Sequence, residues 1–281
     1  MKTSAIVTGA TVVALGIALV VTVGAGALPE ASTIQVRSVM GSGPEVPAPT
    51  GDVSSARGAF TGSVTRSDTG AVLAWQMTFS GLTGDAIAAH IHTGVAGQAG
   101  PVVVPLCGPC QSPASGTANI SDTVLAALES GGAYTNVHTP TNKAGEIRGQ
   151  VGVSAAIATS LAARQERPRP KGNVRRAVGR FTGTVTKSGT TGAMAWRLTF
   201  SHLTGRAIAA HVHIGARGKA GPVAVPLCGP CRSGARGTAT LNAAALAALE
   251  TGRAYVNVHT PKNTAGEIRG QVPSLPLRLT P

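Results

Sequence analysis

The residues of this chain with the clearest capacity for chemistry are histidines that fall into two matching sets. His90 and His92 are one residue apart, so on a β-strand both imidazoles project from one face, about 7 Å apart. His138 would add a third nitrogen if its strand lies beside theirs. The second set consists of His211, His213 and His259. Imidazoles at this spacing are typical ligands of copper or zinc, so each set is a candidate metal site. The alternative interpretation is that these histidines hydrogen-bond the backbone of loops.

The cysteines form two Cys-Gly-Pro-Cys motifs, Cys107 to Cys110 and Cys228 to Cys231. The same four-residue motif forms the active site of thioredoxin-type proteins, in which a helix N-terminus lowers the pKa of one thiol. Here a strand is predicted before the motif and a loop after it, so that helix is missing. We therefore expect each motif to form a local disulfide in an oxidising compartment. Redox activity and a metal–thiolate site are the alternatives.

A glutamate and an arginine follow the last histidine of each set with one residue between them: Glu146 and Arg148, then Glu267 and Arg269. On a strand the two side chains share a face, so we predict a structural pair that orders the histidine strand through a salt bridge or through backbone hydrogen bonds. A catalytic acid with an anion clamp is the alternative. The chain has no nucleophile elbow, Walker loop, dinucleotide fingerprint or His-Glu-x-x-His motif. A non-enzymatic role is favoured.

These motifs belong to a tandem repeat, because His211 follows His90, and Cys228 follows Cys107, by the same 121 residues. Each unit is long enough to be a domain with its own core. The predicted organisation is a signal peptide (1–27), a Pro-, Gly- and Ser-rich linker (28–57), a first domain (58–152), a basic Pro-containing linker that begins with a short helix (153–179), a second domain (180–273) and a tail (274–281).

Within each unit, short segments of alternating apolar and polar residues predict strands separated by Gly and Pro turns. One helix is predicted in the first unit; it begins at Ser121 or Asp122 and ends before Gly131. The predicted fold class is all-β, with two tandem antiparallel β-sandwich or barrel domains that each carry one short helix.

The order and spacing of the motifs closely resemble the CHRD domain, named for its occurrence in chordin. The resemblance is carried by Ala89-His90-Ile91-His92, Tyr134-x-Asn136-Val137-His138 and Gly145-Glu146-Ile147-Arg148-Gly149-Gln150, and by the second copy from His211 to Gln271. It implies a domain found in extracellular regulators of growth factors and in secreted microbial proteins. The growth-factor role is not carried over, because the cysteine-rich modules that accompany these domains in chordin are missing.

The segment from Gly81 to the His90-x-His92 strand also faintly resembles the copper strand of Cu/Zn superoxide dismutases. The chain departs from that pattern because it offers neither a fourth metal histidine nor an evident zinc-site aspartate cluster. If the resemblance holds, it implies a copper- or zinc-binding, redox-active protein.

The N-terminus predicts export. An uncharged apolar stretch from Ala5 to Val23 precedes Ala25-Gly26-Ala27, a small-residue cleavage pattern. An uncleaved membrane anchor is the alternative; after cleavage no further membrane span is predicted. We therefore expect a secreted or cell-surface module that binds an extracellular protein or glycan.

The charge of +13 is placed unevenly along the chain. Residues 28–151 hold 5 Lys and Arg against 8 Asp and Glu, whereas residues 152–281 hold 18 against 3. The second linker and domain are therefore expected to attract anionic cell-surface polymers, with a solvated surface as the alternative. Specific nucleic-acid recognition is not predicted, because the basic residues are not interleaved with aromatic ones.

Overall fold

The structure is a computed structural model that describes residues 33–67 and 70–279. The predicted signal peptide (1–27) lies outside the described residues. The first repeat contains β1 (Thr33–Gly41), β2 (Arg57–Ser67), β3 (Gly70–Ser80), β4 (Ala88–Thr93), β5 (Val102–Cys107), β6 (Ala114–Ile120), α1 (Asp122–Ser130), β7 (Ala133–His138) and β8 (Ile147–Gln150). The second contains β9 (Gly152–Ala162), a 3-10 turn (Ala163–Gln165), β10 (Val178–Ser188), β11 (Thr191–Ser201), β12 (Ala209–Ile214), β13 (Val223–Cys228), β14 (Ala235–Leu241), α2 (Ala243–Glu250), β15 (Ala254–Thr260) and β16 (Asn263–Gln271).

Each repeat is built from two antiparallel ladders. In the first repeat these are β1–β2–β3–β6 and β8–β7–β4–β5, and a single bridge from Gly41 to Arg148 connects them. The bridge from Ala162 to Arg269 does the same in the second repeat. The path of strands runs from β13 to β5 without closing on itself. The predicted all-β class is confirmed.

The predicted helix in the first repeat is also confirmed. Ser121 caps its start, with its hydroxyl accepting from the Val124 N–H at 3.3 Å, and Gly131 ends it with φ of 73°. Its apolar side, which includes Leu125 and Leu128, is buried. One short helix thus packs against the strands of each repeat.

Two strands lie in segments that the sequence analysis places in linkers. β1 alternates buried and exposed residues along its length, with Ile34, Val36 and Met40 inside. β9 alternates in the same way from Ala155 onward, with Ile157 and Leu161 buried, so the helix predicted at the start of the second linker is wrong. The physical reason is the period of two, which suits a sheet with one buried face.

The repeats are joined through these two strands. β1 pairs with β9 antiparallel, with Gln35 opposite Ser154 and Arg37 opposite Gly152. One hydrogen-bonded sheet therefore runs through both repeats, and the described residues form one compact unit. No helix within 33–67 and 70–279 is long and apolar enough to cross a membrane.

The predicted tail is packed against the helices. Leu275, Leu277 and Leu279 are each at most 5% exposed. The Leu279 N–H donates to Glu129 of α1 at 2.7 Å, and the Leu275 N–H donates to the Leu249 carbonyl of α2 at 3.1 Å. The end of the second repeat thereby fastens a helix of the first.

Replacing Leu277 with alanine is expected to lower the free energy of unfolding by about 2–5 kcal/mol, because it leaves a cavity under both helices. Urea unfolding followed by circular dichroism measures the change. Arg278→Ala is the matched control; its side chain is 64% exposed, and such a surface pair contributes at most about 1 kcal/mol. Equal stability of L277A and the wild type would contradict the structural role of the tail.

Candidate metal centre

The three histidines of each set lie on one face of adjacent strands. β4 pairs with β7, so that His138 stands opposite Ala88 and diagonal to His90. The alternate residue Ile91 points into the core and is fully buried. The strand periodicity that buries Ile91 therefore places His90 and His92 on the same side as His138.

The imidazoles converge closely. One ligand nitrogen from each of His90, His92 and His138 lies within 4.8 Å of the others. His90 Nδ1 is 3.0 Å from His138 Nε2. His92 and His138 are buried, whereas His90 is partly exposed, so the cluster is reached from solvent on the His90 side. The second repeat repeats this arrangement with His211, His213 and His259.

Backbone carbonyls orient two of the three rings. His92 Nδ1 lies 2.8 Å from the Gly100 carbonyl, and His138 Nδ1 lies 3.0 Å from the Lys143 carbonyl. A carbonyl only accepts, so each Nδ1 carries the proton and each Nε2 is the unprotonated nitrogen; the His138 Nε2 lone pair faces His90 Nδ1 at 3.0 Å. His92 Nε2 is buried without a hydrogen-bond partner. This is the arrangement by which proteins orient histidines toward a metal.

The cluster is neutral at physiological pH. Burial, helped by the neighbouring His138 and His92, lowers the pKa of His90 to about 4. Burial also lowers the pKa of His92 and of His138, against the opposing effect of their carbonyl partners. Because metals bind the unprotonated imidazole, the ligands are already in the required form.

An aromatic stack holds the Gly100 carbonyl in place. The Tyr134 ring is stacked on His92 with centroids 4.9 Å apart, and the Arg148 guanidinium carbon lies 3.4 Å from the Tyr134 centroid. The Tyr134 hydroxyl accepts from the Gly100 N–H at 3.1 Å, and Arg148 donates to the Val95 carbonyl at 2.9 Å. A Cβ at Gly100 would overlap the Thr93 carbonyl, so only glycine allows this close approach.

The side chains of Glu146 and Arg148 are each held by hydrogen bonds to other residues and not by one another. No ion pair joins them in the described part of the chain. Instead Glu146 accepts hydrogen bonds from the Thr83 N–H at 2.7 Å, from Thr139 Oγ1 at 2.7 Å and from Asn142 Nδ2 at 2.9 Å. Neutral donors therefore satisfy the carboxylate, which fixes the turn that carries the Lys143 carbonyl. Glu267 and Arg269 separate in the same way, with Glu267 bound to Thr204, Thr260 and Asn263.

A second carboxylate lies under the cluster and was missed by the sequence analysis. Glu45 is 4% exposed and follows β1. Burial raises its pKa, although the Val46 N–H, Arg148 and Asn136 oppose this effect. A Cβ on Gly145 would overlap the Glu45 carboxylate. The counterpart in the second repeat, Glu166, is fully buried. Each glutamate stands two residues before a proline. This shared pattern identifies the two glutamates once the repeat is extended upstream to include β1 and β9.

The disulfide prediction is confirmed. Cys107 is bonded to Cys110, and Cys228 to Cys231. All four cysteines lie within the described residues, and none is free. The Cys110 N–H donates to the Ala86 carbonyl at 2.9 Å, which ties the loop after β5 to the segment before β4.

Replacing Glu146 with glutamine is expected to lower the free energy of unfolding at pH 7 by about 1–3 kcal/mol, because donors that face a carboxylate would then meet an amide. Burial opposes ionisation of Glu146, but the hydrogen bonds from Thr83, Thr139 and Asn142 prevail and hold its pKa below the ordinary 4.5. Its stabilisation is therefore complete above pH 4.5 and is lost as the pH falls through the lower, folded-state pKa.

Urea unfolding at a series of acid pH values tests this expectation. The variant should lose less stability than the wild type below pH 4.5. Asp85→Asn removes an exposed carboxylate two residues after Thr83 and is the control. Identical pH profiles for E146Q and the wild type would contradict the assignment.

Comparison with known proteins agrees with the repeated architecture. The model of the CHRD domain matches residues 36–151 and again residues 157–272. No curated protein and no solved structure matches the chain. Both matched ranges include most of β1 or β9 and all three histidines of one set. The chain therefore belongs to the CHRD-domain family and carries two CHRD domains in tandem.

Proposed function

We propose that the protein is an exported extracellular module in which each CHRD domain binds one divalent copper or zinc ion. The observation that carries the proposal is that two backbone carbonyls hold the Nδ1 protons of His92 and His138, which leaves Nε2 as the unprotonated nitrogen of each ring in a cluster with His90 whose nitrogens lie within 4.8 Å of one another. Three neutral nitrogen ligands suit both metals, and copper binds such sites more tightly.

The ligands would be His90, His92 and His138 in the first domain and their counterparts in the second. Bound copper would supply one-electron chemistry, whereas bound zinc would supply a Lewis acid or a structural link between β4 and β7. The chain's own contribution is to hold three imidazoles in fixed tautomers. The superoxide-dismutase-type activity is a second candidate, and a dismutase assay on the copper-loaded protein tests it.

Export is supported by the disulfides and by the family. Two short-range disulfides suit an oxidising compartment. The CHRD family is known for extracellular members, in agreement with the predicted signal segment. In this proposal the module is non-enzymatic and presents its metal-bound domains to an extracellular protein or glycan.

Attachment to an anionic surface is a further part of the proposal. The segment between β9 and β10 holds six basic residues and one acid, whereas the corresponding segment between β1 and β2 holds no basic residue. These basic residues are Arg164, Arg167, Arg169, Lys171, Arg175 and Arg176. Such a surface attracts polyanions with a strength that falls as salt rises.

The mature chain from Leu28 is expected to bind one metal ion per domain. His90→Ala should halve the stoichiometry, and His90→Ala combined with His211→Ala should abolish binding, because each change removes one ligand from one cluster. Calorimetric titration with Cu(II) and Zn(II), together with elemental analysis after dialysis, measures the stoichiometry. Circular dichroism shows whether each variant is folded.

His202→Gly is the matched control for loss of a histidine. His202 is exposed and lies outside both clusters. Its φ of 57° resembles the 69° of Gly81 at the corresponding position, so glycine fits there without strain. The control should keep full stoichiometry. Absence of binding at micromolar metal, or equal loss in the control, would leave the histidines with a structural role.

A further inference from the structure

The second domain carries an arginine-lined pocket, and of its four arginines Arg269 has a charged counterpart in the first domain, Arg148. The pocket has a volume of about 250 Å³. Its charged lining comes from Arg164, Arg167, Arg217 and Arg269, and the side chains of Gln165 and Gln271 add amide groups. We refer to these residues as the arginine pocket.

One wall of the pocket is rigid and buried. Arg269 is 1% exposed, donates to the Lys219 and Ala216 carbonyls at 2.8 and 2.9 Å, and lies with its guanidinium carbon 3.4 Å from the Tyr255 centroid. Burial lowers its pKa, and the positive charges of Arg167 and Arg217 contribute to the lowering. The pocket therefore has a positive potential around a fixed guanidinium.

The buried carboxylate of Glu166 offsets part of this charge, because it interacts with Arg167 and Arg269. Glu166 is the acid beneath the pocket and accepts from the Arg167 N–H at 2.9 Å. Within residues 33–67 and 70–279, none of Arg164, Arg167 and Arg217 forms an ion pair with a carboxylate. Arg164 and Arg217 are exposed, so solvent screens part of the repulsion among these charges, and an anion bound between the guanidinium groups would neutralise what remains.

The fold does not require these arginines. At the offset of 121 residues, Arg164, Arg167 and Arg217 correspond to Gly43, Val46 and Ala96. The first domain forms the corresponding strands without these three charges. A feature that costs electrostatic energy and is unnecessary for folding points to a ligand.

A second hollow adjoins the arginine pocket and shares Arg164 with it. Its volume is about 420 Å³, and its apolar lining includes Ala162, Val174 and Ala177. Arg169 and Arg175 also line it. Apolar surface is therefore available beside the positive charges.

We infer that the arginine pocket binds a phosphate group and that the adjoining hollow accepts the body of a phosphate ester. Planar guanidinium groups bind phosphate oxygens in pairs, and a tetrahedral oxyanion has enough oxygens to engage several arginines at once. The inference rests on the proposed attachment to anionic surfaces and names the group recognised there. The source of the phosphate is a phospholipid headgroup or free phosphate.

Metal-free mature chain is titrated with inorganic phosphate and pyrophosphate by calorimetry. The same protein is sedimented with vesicles of phosphatidylglycerol and, for comparison, of phosphatidylcholine. Arg164→Gln combined with Arg217→Gln is expected to weaken binding by about tenfold for each charge-assisted hydrogen bond lost. Arg206→Gln combined with Arg232→Gln removes the same charge from exposed positions of the second domain outside the pocket and should change binding by less than about twofold.

The outcomes separate the two levels of the proposal. Loss of phosphate binding in the pocket variant but not in the control variant supports the site. Tighter binding to phosphatidylglycerol than to phosphate assigns a lipid source. Tighter binding to phosphate assigns free phosphate. Equal loss in both double variants would overturn the pocket and leave a diffuse electrostatic attachment. Failure of the wild type to bind any of these probes at low salt would overturn the attachment as well. Arg164→Lys with Arg217→Lys keeps the charge and should still bind more weakly than the wild type, because an ammonium cannot form the paired contact.

Discussion

The candidate centre depends on two hydrogen bonds from histidine Nδ1 atoms to backbone carbonyls. Without the Gly100 and Lys143 carbonyls, His92 and His138 would be free to exchange tautomers, and no fixed pair of lone pairs would face His90. Each carbonyl lies in a loop, so each loop needs its own anchor. The stack of Tyr134 on His92 serves the first loop, and the Glu146 hydrogen bonds serve the second.

The second domain provides an internal comparison for this interpretation. His259 Nδ1 lies 2.9 Å from the Thr264 carbonyl, which corresponds to Lys143 in the first domain. Lysine and threonine have unlike side chains, and both are exposed at this turn. The geometry is retained because only the backbone oxygen is used. This also explains why sequence patterns did not identify the position.

Patterns of side chains predicted the parts of the fold that depend on side-chain periodicity. The alternation along β4 located the paired histidines, and the motif spacing located the disulfides. The helix prediction for β9 failed because the alanine-rich composition was given more weight than the alternation of apolar residues. That alternation is explained by the strand partners of β9, which are β1 and β10. Sequence patterns did not identify the partners of Glu146, because sharing a face with Arg148 does not decide which neighbour is nearer, and Thr83 comes from a distant loop.

The two domains show how one framework can carry different surfaces. Their histidine sets consist of neutral imidazoles, and their supporting contacts are backbone carbonyls, an aromatic stack and a carboxylate bound by neutral donors. None of these depends on the net charge of the surrounding loops. The second domain has arginines where the first has Gly43 and Ala96, yet the histidine geometry is the same. The distance from His211 Nδ1 to His259 Nε2 and the distance from His90 Nδ1 to His138 Nε2 are both 3.0 Å. The charge of the loops around the histidines can therefore change while the histidine cluster keeps its geometry. The cluster is built from short-range contacts, which the electric field of distant charges perturbs little.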